Sequence, residues 1–326
     1  MIAIADSRSE TMAKNKDFYI DVIQGLSKSP KKLSSKYFYD KTGDRIFEQI
    51  MSSPDYYLTK CEMEIFKEKS DTIAEYLIKE NGEFDLIELG PGNCAKSIHL
   101  LRSLVKRNSS IHYIPIDISE SIIRELQVVL PGSVPGLIFE GRTGDYFDQL
   151  GSYQGRPGRR KVVLCLGGNI GNMSVSESCQ FCHTLRSHLH PGDQCIIGFD
   201  LIKHPEVIRR AYDDRDGFTR EFNLNLLQRI NRELDADFDM EQFDHYCSYD
   251  PLEGAAKSYL ICKCDMTVKI SGILFHFKEN EPIWTEISQK FTKGQIQKMA
   301  DSNSFIHSCH FSDTKSWFMD AVWTAI

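Results

Sequence analysis

Nowhere in its 326 residues does the chain hold the run of roughly 18 apolar residues that a membrane span requires. Nor does it hold a block of lysine and arginine. Its 39 basic residues are interspersed with 46 acidic ones, for a formal net charge of -7, so neither a nucleic acid nor an anionic membrane is expected as a partner. The N-terminus, Met1 to Lys16, lacks the apolar core behind a basic patch that marks an export signal. Together these absences point to the cytoplasm. No internal repeat or low-complexity tract is visible. Cysteine is not scarce, at ten residues, but the cysteines are scattered through apparent strands and helices, and reduced thiols are expected. The one Cys-x-x-Cys pair, Cys179 and Cys182, has no second pair at zinc-site spacing and falls inside a predicted helix, so packing is its expected role and no metal site is expected. What the chain has in quantity is apolar residue, 41%, enough for a substantial core in one large domain or two.

The first dozen residues, rich in Ser, Ala and charge, read as a loose tail. From Asp85 a regular alternation sets in. Asp85 to Leu89 reads as a buried strand, Ala95 to Arg107 as a helix and Ile111 to Ile116 as a second strand. A helix over Ser119 to Leu130, a strand over Lys161 to Leu166, a helix over Ser174 to Leu189 and a strand over Gln194 to Phe199 continue the rhythm, which predicts a parallel sheet covered on both faces. After Asp200 the rhythm stops. Pro205 to Leu234 reads as helices broken at Asp-Asp and Asp-Gly, Tyr246 to Tyr249 and Ser258 to Ile270 as antiparallel strands, and Ile306 to Phe311 with Met319 to Ala325 as a closing hairpin.

Glu88-Leu89-Gly90-Pro91-Gly92-Asn93-Cys94-Ala95 sits where a strand hands over to a helix. Gly90 and Gly92 can take positive φ and admit a ligand close to the backbone, and the helix beyond offers unpaired N–H groups. By spacing alone the turn also satisfies Gly-x-Gly-x-x-Ala, so it does not separate NAD from S-adenosylmethionine. Asp117, closing the second strand, suits the ribose hydroxyls of either. Glu88 before the glycines and Gly144-Asp145-Tyr146 after the third strand tilt the reading toward S-adenosylmethionine, as an acidic tip near an amino-acid moiety and an Asp-aromatic pair around adenine. For a lone Asp the competing reading is a loop cap.

Beyond this turn, Lys36-Tyr37-Phe38-Tyr39-Asp40, Gly43, Phe47-Glu48 and Pro54-Asp55-Tyr56-Tyr57-Leu58-Thr59-Lys60 form a distinctive N-terminal signature. In the same chain stand Leu166-Gly167-Gly168-Asn169-Ile170-Gly171-Asn172, Asp200-Leu201-Ile202-Lys203, Ala211-Tyr212-Asp213-Asp214, Phe222-Asn223-Leu224-Asn225 and Thr285-Glu286-Ile287-Ser288-Gln289-Lys290-Phe291. From about Leu33 to the C-terminus the sequence resembles the histidine Nα-methyltransferases of ergothioneine biosynthesis. The resemblance implies an α/β fold in which a Rossmann-like class I methyltransferase domain, with a parallel-rich sheet, carries a smaller mixed α+β substrate-binding domain, the active site lying between them. The expected division is a tail over 1–14, a substrate domain over 15–60 and 201–286, and a cofactor domain over 61–200 and 287–326. Gly90, Lys96, Asp117, Asp145 and Tyr146 would then contact S-adenosylmethionine, and Tyr39, Tyr56, Asn172, Tyr212, Glu286 and Ser288 the amino acid, with the last two on an imidazole ring. Where the family places a methionine against that ring, Ser258 stands here and alters the side-chain pocket.

The reaction this implies is methylation of the α-amino nitrogen of a free amino acid, L-histidine first, with up to three transfers giving hercynine. An indole amino acid is the alternative substrate, against which Glu286 argues, because a carboxylate pairs with an imidazole N–H and an indole leaves most of its charge unmatched. In-line displacement at a sulfonium needs chiefly an unprotonated amine held about 3 Å from the methyl carbon. Tyr39 and Tyr56 are the candidate catalytic groups, as hydroxyls that orient the amine lone pair, and Asn172 and Tyr212 suit the substrate carboxylate. No residue stands out as a general base. An NAD-dependent oxidoreductase, on glycine spacing alone, and a catalytically silent ligand-binding relative are the competing classes. A monomer is expected.

Overall fold

The apolar runs of the alternating region assemble into one sheet in a computed structural model that describes residues 16–81, 83–107 and 111–326. Phe84–Leu89 lies between two parallel neighbours, His112–Asp117 and Arg160–Cys165, and Gln194–Asp200 adds in parallel beyond the latter. One edge is continued by two short strands, Ile138–Phe139 and Arg142–Thr143, both parallel to His112–Asp117. The other is continued by Phe318–Ala325, antiparallel to Gln194–Asp200, and then by Phe305–Ser312. With the two short strands counted as one position, the order is 3-2-1-4-5-7-6. It reverses beside Phe84–Leu89, and in open α/β sheets ligands bind outside the carboxyl ends of the strands at such a reversal. Every residue of Phe84–Leu89 and His112–Asp117 is buried, as expected of strands covered on both faces.

Helices Tyr57–Asn81, Ser97–Arg107, Glu120–Ser133, Tyr146–Ser152, Val175–Ser187 and Lys293–Ser302 accompany this sheet. Ser174 and Thr292 open two of them with reciprocal capping boxes, and Ser119 caps a third, so the starts are written in the sequence. The helix expected from Ala95 begins at Ser97 instead. Cys94, at φ 55, and the bond from Ala95 N–H to Asn93 Oδ1 at 3.1 Å prolong the turn by two residues. The sheet and these helices, Tyr57–Lys203 with Gln289–Ile326, form one unit of the chain.

The other unit comprises, of the described residues, 16–56 together with His204–Ser288. The tail expected over 1–14 lies outside the described residues. Its four-stranded sheet runs Lys31–Lys32, Pro282–Gln289, Ala255–Cys262, Phe243–Asp250, the first pair parallel and the last antiparallel. Along Ala255–Cys262, Ser258, Leu260 and Cys262 are buried and alternate with half-exposed residues, the period of a sheet packed on one face. Phe222, Leu226, Leu227 and Ile230 of the Phe218–Leu234 helix join Leu260, Cys262 and Ile283 in the core. The single strand expected over Ser258 to Ile270 is two. Ala255–Cys262 ends, and Met266–Ile270 pairs instead with Ile273–Phe277 in a separate hairpin. Between them Lys263 N–H bonds Gln242 O and Asp265 accepts Glu279 N–H, so the chain breaks the run that continuous hydropathy suggests.

Candidate active site

At the sheet's reversal, Gly90 turns with φ +67 and Gly92 with φ +53. Gly90 N–H bonds Ile116 O at 2.9 Å, and Gly144 N–H bonds Asp117 O at 2.9 Å, which draws the Gly144-Asp145-Tyr146 segment to the end of the neighbouring strand. The contact is close. A Cβ on Gly90 would stand 2.5 Å from Tyr146 Oη, so only glycine allows the tyrosine its place, and burial pushes that phenol up to about 12. Asp117 accepts Ser119 N–H at 2.8 Å on one oxygen, and burial raises its carboxyl above the usual range. Asp145 does cap a helix, accepting Phe147 N–H at 2.9 Å and Asp148 N–H at 3.3 Å through one oxygen, Oδ1.

Glu88 stands on the strand Phe84–Leu89, just before the glycines. It is buried beneath the turn, where Tyr113 donates its hydroxyl to Oε2 at 2.5 Å and Cys94 Sγ lies 3.1 Å from the same phenol. Burial raises its carboxyl to about 7, against the lowering effect of Tyr113. Lys96, one turn on, pairs with the buried Glu62 of the Tyr57–Asn81 helix, whose carboxylate also accepts Gly167 N–H at 2.7 Å and 3.0 Å. Asn172, itself exposed, ends the helical turn Asn169–Asn172 that follows Gly167 and Gly168 and buries Ile170 and Gly171.

A second buried polar node stands at the end of Gln194–Asp200. Asp200 accepts the Tyr57 hydroxyl at 2.7 Å and Lys290 Nζ at 2.8 Å on one oxygen and Lys203 Nζ on the other. The side chain of Lys203 is buried, and desolvation holds its ammonium below the ordinary lysine range.

In the other unit the remaining candidates gather around aromatic edges. Tyr39, nearly half exposed, meets Phe47 and Phe222 edge-on at 5.5 Å and 5.6 Å, and Phe47 meets Tyr56 at 6.2 Å. Tyr56 in turn meets Tyr212 edge-on at 6.3 Å, and Tyr212 Oη lies 2.5 Å from Ser288 Oγ. Ser258 donates its hydroxyl to Glu286 Oε2 at 3.1 Å, while its own carbonyl accepts Thr285 Oγ1 at 3.0 Å. Asp40, beside Tyr39, is structural. It caps the Lys41–Ser52 helix through Gly43 N–H at 2.7 Å and accepts Asn225 Nδ2 at 3.0 Å. Sequence reasoning missed Glu62 and Asp320. The available signal was an acid inside an apolar pattern: Glu62 among Leu58, Cys61, Ile65 and Phe66, and Asp320 within Phe318 to Val322.

Residues 18–325 match the model of the histidine-specific, S-adenosylmethionine-dependent methyltransferases. The chain belongs to that family. It is 34% identical over 289 residues to the histidine N-alpha-methyltransferase of Mycolicibacterium smegmatis, covering 88% of this chain and 86% of that protein. The histidine N-alpha-methyltransferase of Mycobacterium tuberculosis is 35% identical over 273 residues, 83% of each. The ergothioneine biosynthesis protein 1 of Schizosaccharomyces pombe is 28% identical over 279 residues, 84% of this chain but 36% of that protein. The methyltransferase therefore takes S-adenosylmethionine as its cofactor, and the ambiguity left open by Gly-x-Gly-x-x-Ala is resolved against NAD. The turn suits that group on its own evidence, since two left-handed glycines stand beside a strand-end carboxylate that, among the described residues, accepts N–H groups from its own loop, those of Ser119 and Ile118. No helix of the described residues is long and apolar enough to cross a membrane.

Proposed function

We propose that the methyltransferase methylates the α-amino nitrogen of L-histidine, up to the trimethylated product hercynine, as a step of ergothioneine-type biosynthesis. The observation that carries the substrate is the hydrogen bond from Ser258 to Glu286: it fixes a half-buried carboxylate on the strand that also bears Ser288, an arrangement that accepts an imidazole N–H and leaves an indole with a charge to desolvate. The serine at 258, in place of the family's methionine, thus reads as a change in how the carboxylate is held. Support for the class comes from the family and from relatives whose names carry histidine.

In this reading Gly90, Gly92, Lys96, Asp117, Asp145 and Tyr146 hold the cofactor, with Glu88 supporting the turn from beneath. Bound S-adenosylmethionine supplies a methyl group on a sulfonium. Tyr39 and Tyr56 orient the amine lone pair by their hydroxyls, Asn172 and Tyr212 hold the substrate carboxylate by neutral donors, and Glu286 and Ser288 hold the ring. Positioning supplies most of the acceleration, without a covalent enzyme intermediate, and the amine proton passes to solvent. The unit that holds His204–Ser288 serves as the substrate-binding domain, and the enzyme works as a cytoplasmic monomer. Mass spectrometry of purified protein with S-adenosylmethionine and each of the twenty amino acids tests this. A shift of three methyl groups on histidine alone is expected. Methylation of tryptophan in its place overturns the substrate, and a single methyl under excess cofactor overturns the repeated transfer.

A further inference from the structure

We propose that Glu62 and Asp320 share one proton and act together as the single counter-charge that positions Lys96 beside the glycine turn. The proposal rests on the reading that Lys96 holds the cofactor, and takes its ammonium to meet the carboxylate of the cofactor's amino-acid moiety.

The geometry is built around an absent side chain. Asp320 stands opposite Gly198 in the antiparallel pairing of their strands, and a Cβ on Gly198 would lie 2.6 Å from Glu62 Oε1. Glycine at 198 therefore makes the space in which an acid from the Tyr57–Asn81 helix reaches the sheet. Asp320 is wholly buried, and neither of its carboxyl oxygens receives a hydrogen bond from an N–H or hydroxyl of the described residues. The groups that face it are the Glu62 carboxyl and, further off, the Lys96 ammonium. Its partners in the adjacent strands, Gly198 and Phe311, do not titrate.

Two carboxyl groups in contact in a dry interior do not both ionise, and a proton held between them is the donor that Asp320 lacks. Desolvation holds Asp320 well above the usual carboxylate range, with the Glu62 charge adding to the effect. One proton on the pair leaves one negative charge against Lys96. Glu62 spends that charge on two partners, Lys96 and Gly167 N–H, and Lys96 Nζ stands 3.5 Å from where a Cβ of Gly167 would be. Two ionised acids would leave the trio net negative and repel an incoming carboxylate. The pair thus keeps Lys96 both anchored and available, which makes Glu62 and Asp320 positioning residues that act through the lysine.

Calorimetric titration of the full-length protein with two probes tests this. S-adenosylhomocysteine keeps the amino-acid carboxylate and 5′-methylthioadenosine lacks it. Asp320→Asn, which keeps one acid and supplies an N–H in place of the shared proton, is expected to bind both probes as wild type does. Glu62→Gln with Asp320→Asn, which removes the charge at nearly constant shape, is expected to lose about tenfold on S-adenosylhomocysteine, worth about 1.4 kcal/mol, and nothing on 5′-methylthioadenosine. Equal losses on both probes, no loss in the double variant, or a full loss in Asp320→Asn alone each overturn the proposal. Wild-type protein that binds neither probe overturns the cofactor reading itself. Should the double variant not fold, the melting temperature of Asp320→Asn between pH 5 and pH 8 decides. The folded wild type holds a proton there that the unfolded chain does not, so its stability falls with rising pH and the Asn variant should fall less steeply. Equal slopes overturn the shared proton.

Discussion

At Gly90 the hydroxyl of Tyr146 occupies the place of a missing Cβ, 2.5 Å from where it would stand, while the backbone sits at φ +67. Gly90→Ala is therefore expected to displace Tyr146 and strain the turn by about 1 kcal/mol or more, and calorimetry should show the affinity for S-adenosylhomocysteine reduced at least tenfold. Ser258→Ala leaves Glu286 without the donor at 3.1 Å. A hydrogen bond to a charged group contributes about 1.5–3 kcal/mol, so KM for histidine should rise roughly tenfold or more with a smaller change in kcat, as steady-state kinetics would show. At this scale the sequence was most legible where a residue's chemistry is unusual for its place. Two glycines after a buried strand have few uses other than a ligand turn. Glu88 was harder, because nothing in one chain says that Tyr113, twenty-five positions on, donates to it. Asp145 caps its helix through Oδ1 alone, and local spacing reveals no more than that role.

Elements followed the patterns where packing is simple. The strands buried on both faces, such as His112–Asp117, stand out as apolar runs, and the helices capped by Ser119 and Ser174 announce themselves, whereas the short Lys293–Ser302 helix, though capped by Thr292, was not expected from the sequence. The hairpin of Met266–Ile270 with Ile273–Phe277 did not, since hydropathy continues across the Lys263–Asp265 break and only long-range bonds to Gln242 and Glu279 divide the run. Lys31–Lys32 as a strand has no signature of its own and exists because Pro282–Gln289 offers it an edge. Burial of Glu88 within the strand Phe84–Leu89 has a measurable cost in pH. Its carboxyl, raised from 4.5 to about 7, is protonated in the folded state and ionised in the unfolded chain between those values, so stability falls by about 1 kcal/mol per pH unit as pH rises through that window. Urea unfolding at pH 5 and pH 7.5 should show Glu88→Gln with a shallower decline than wild type, and an unchanged slope would mean that Glu88 ionises freely.

For the whole molecule, the boundaries of the two units fall at Tyr56, Lys203 and Ser288, and neither unit is a single stretch of sequence. Cutting the chain after Ser288 removes Phe305–Ser312 and Phe318–Ala325 along with Phe305, Phe318 and Trp323, all wholly buried, and leaves Gln194–Asp200 as an open edge. Such a chain is expected in the insoluble fraction on expression, and a soluble product with a native circular-dichroism spectrum would refute this. The node at Asp200 bears on time as well as on equilibrium. Tyr57, Lys203 and Lys290 lie within two residues of those three boundaries, and all bind one carboxylate. Such a junction closes only when segments near positions 57, 200 and 290 have all arrived, which places it late in folding. Removing the charge by Asp200→Asn takes the carboxylate from two buried ammonium groups, a loss on the order of 3–5 kcal/mol. In stopped-flow measurements that loss should enter almost wholly as faster unfolding with the refolding rate preserved, so that this carboxylate sets how long each folded molecule lasts.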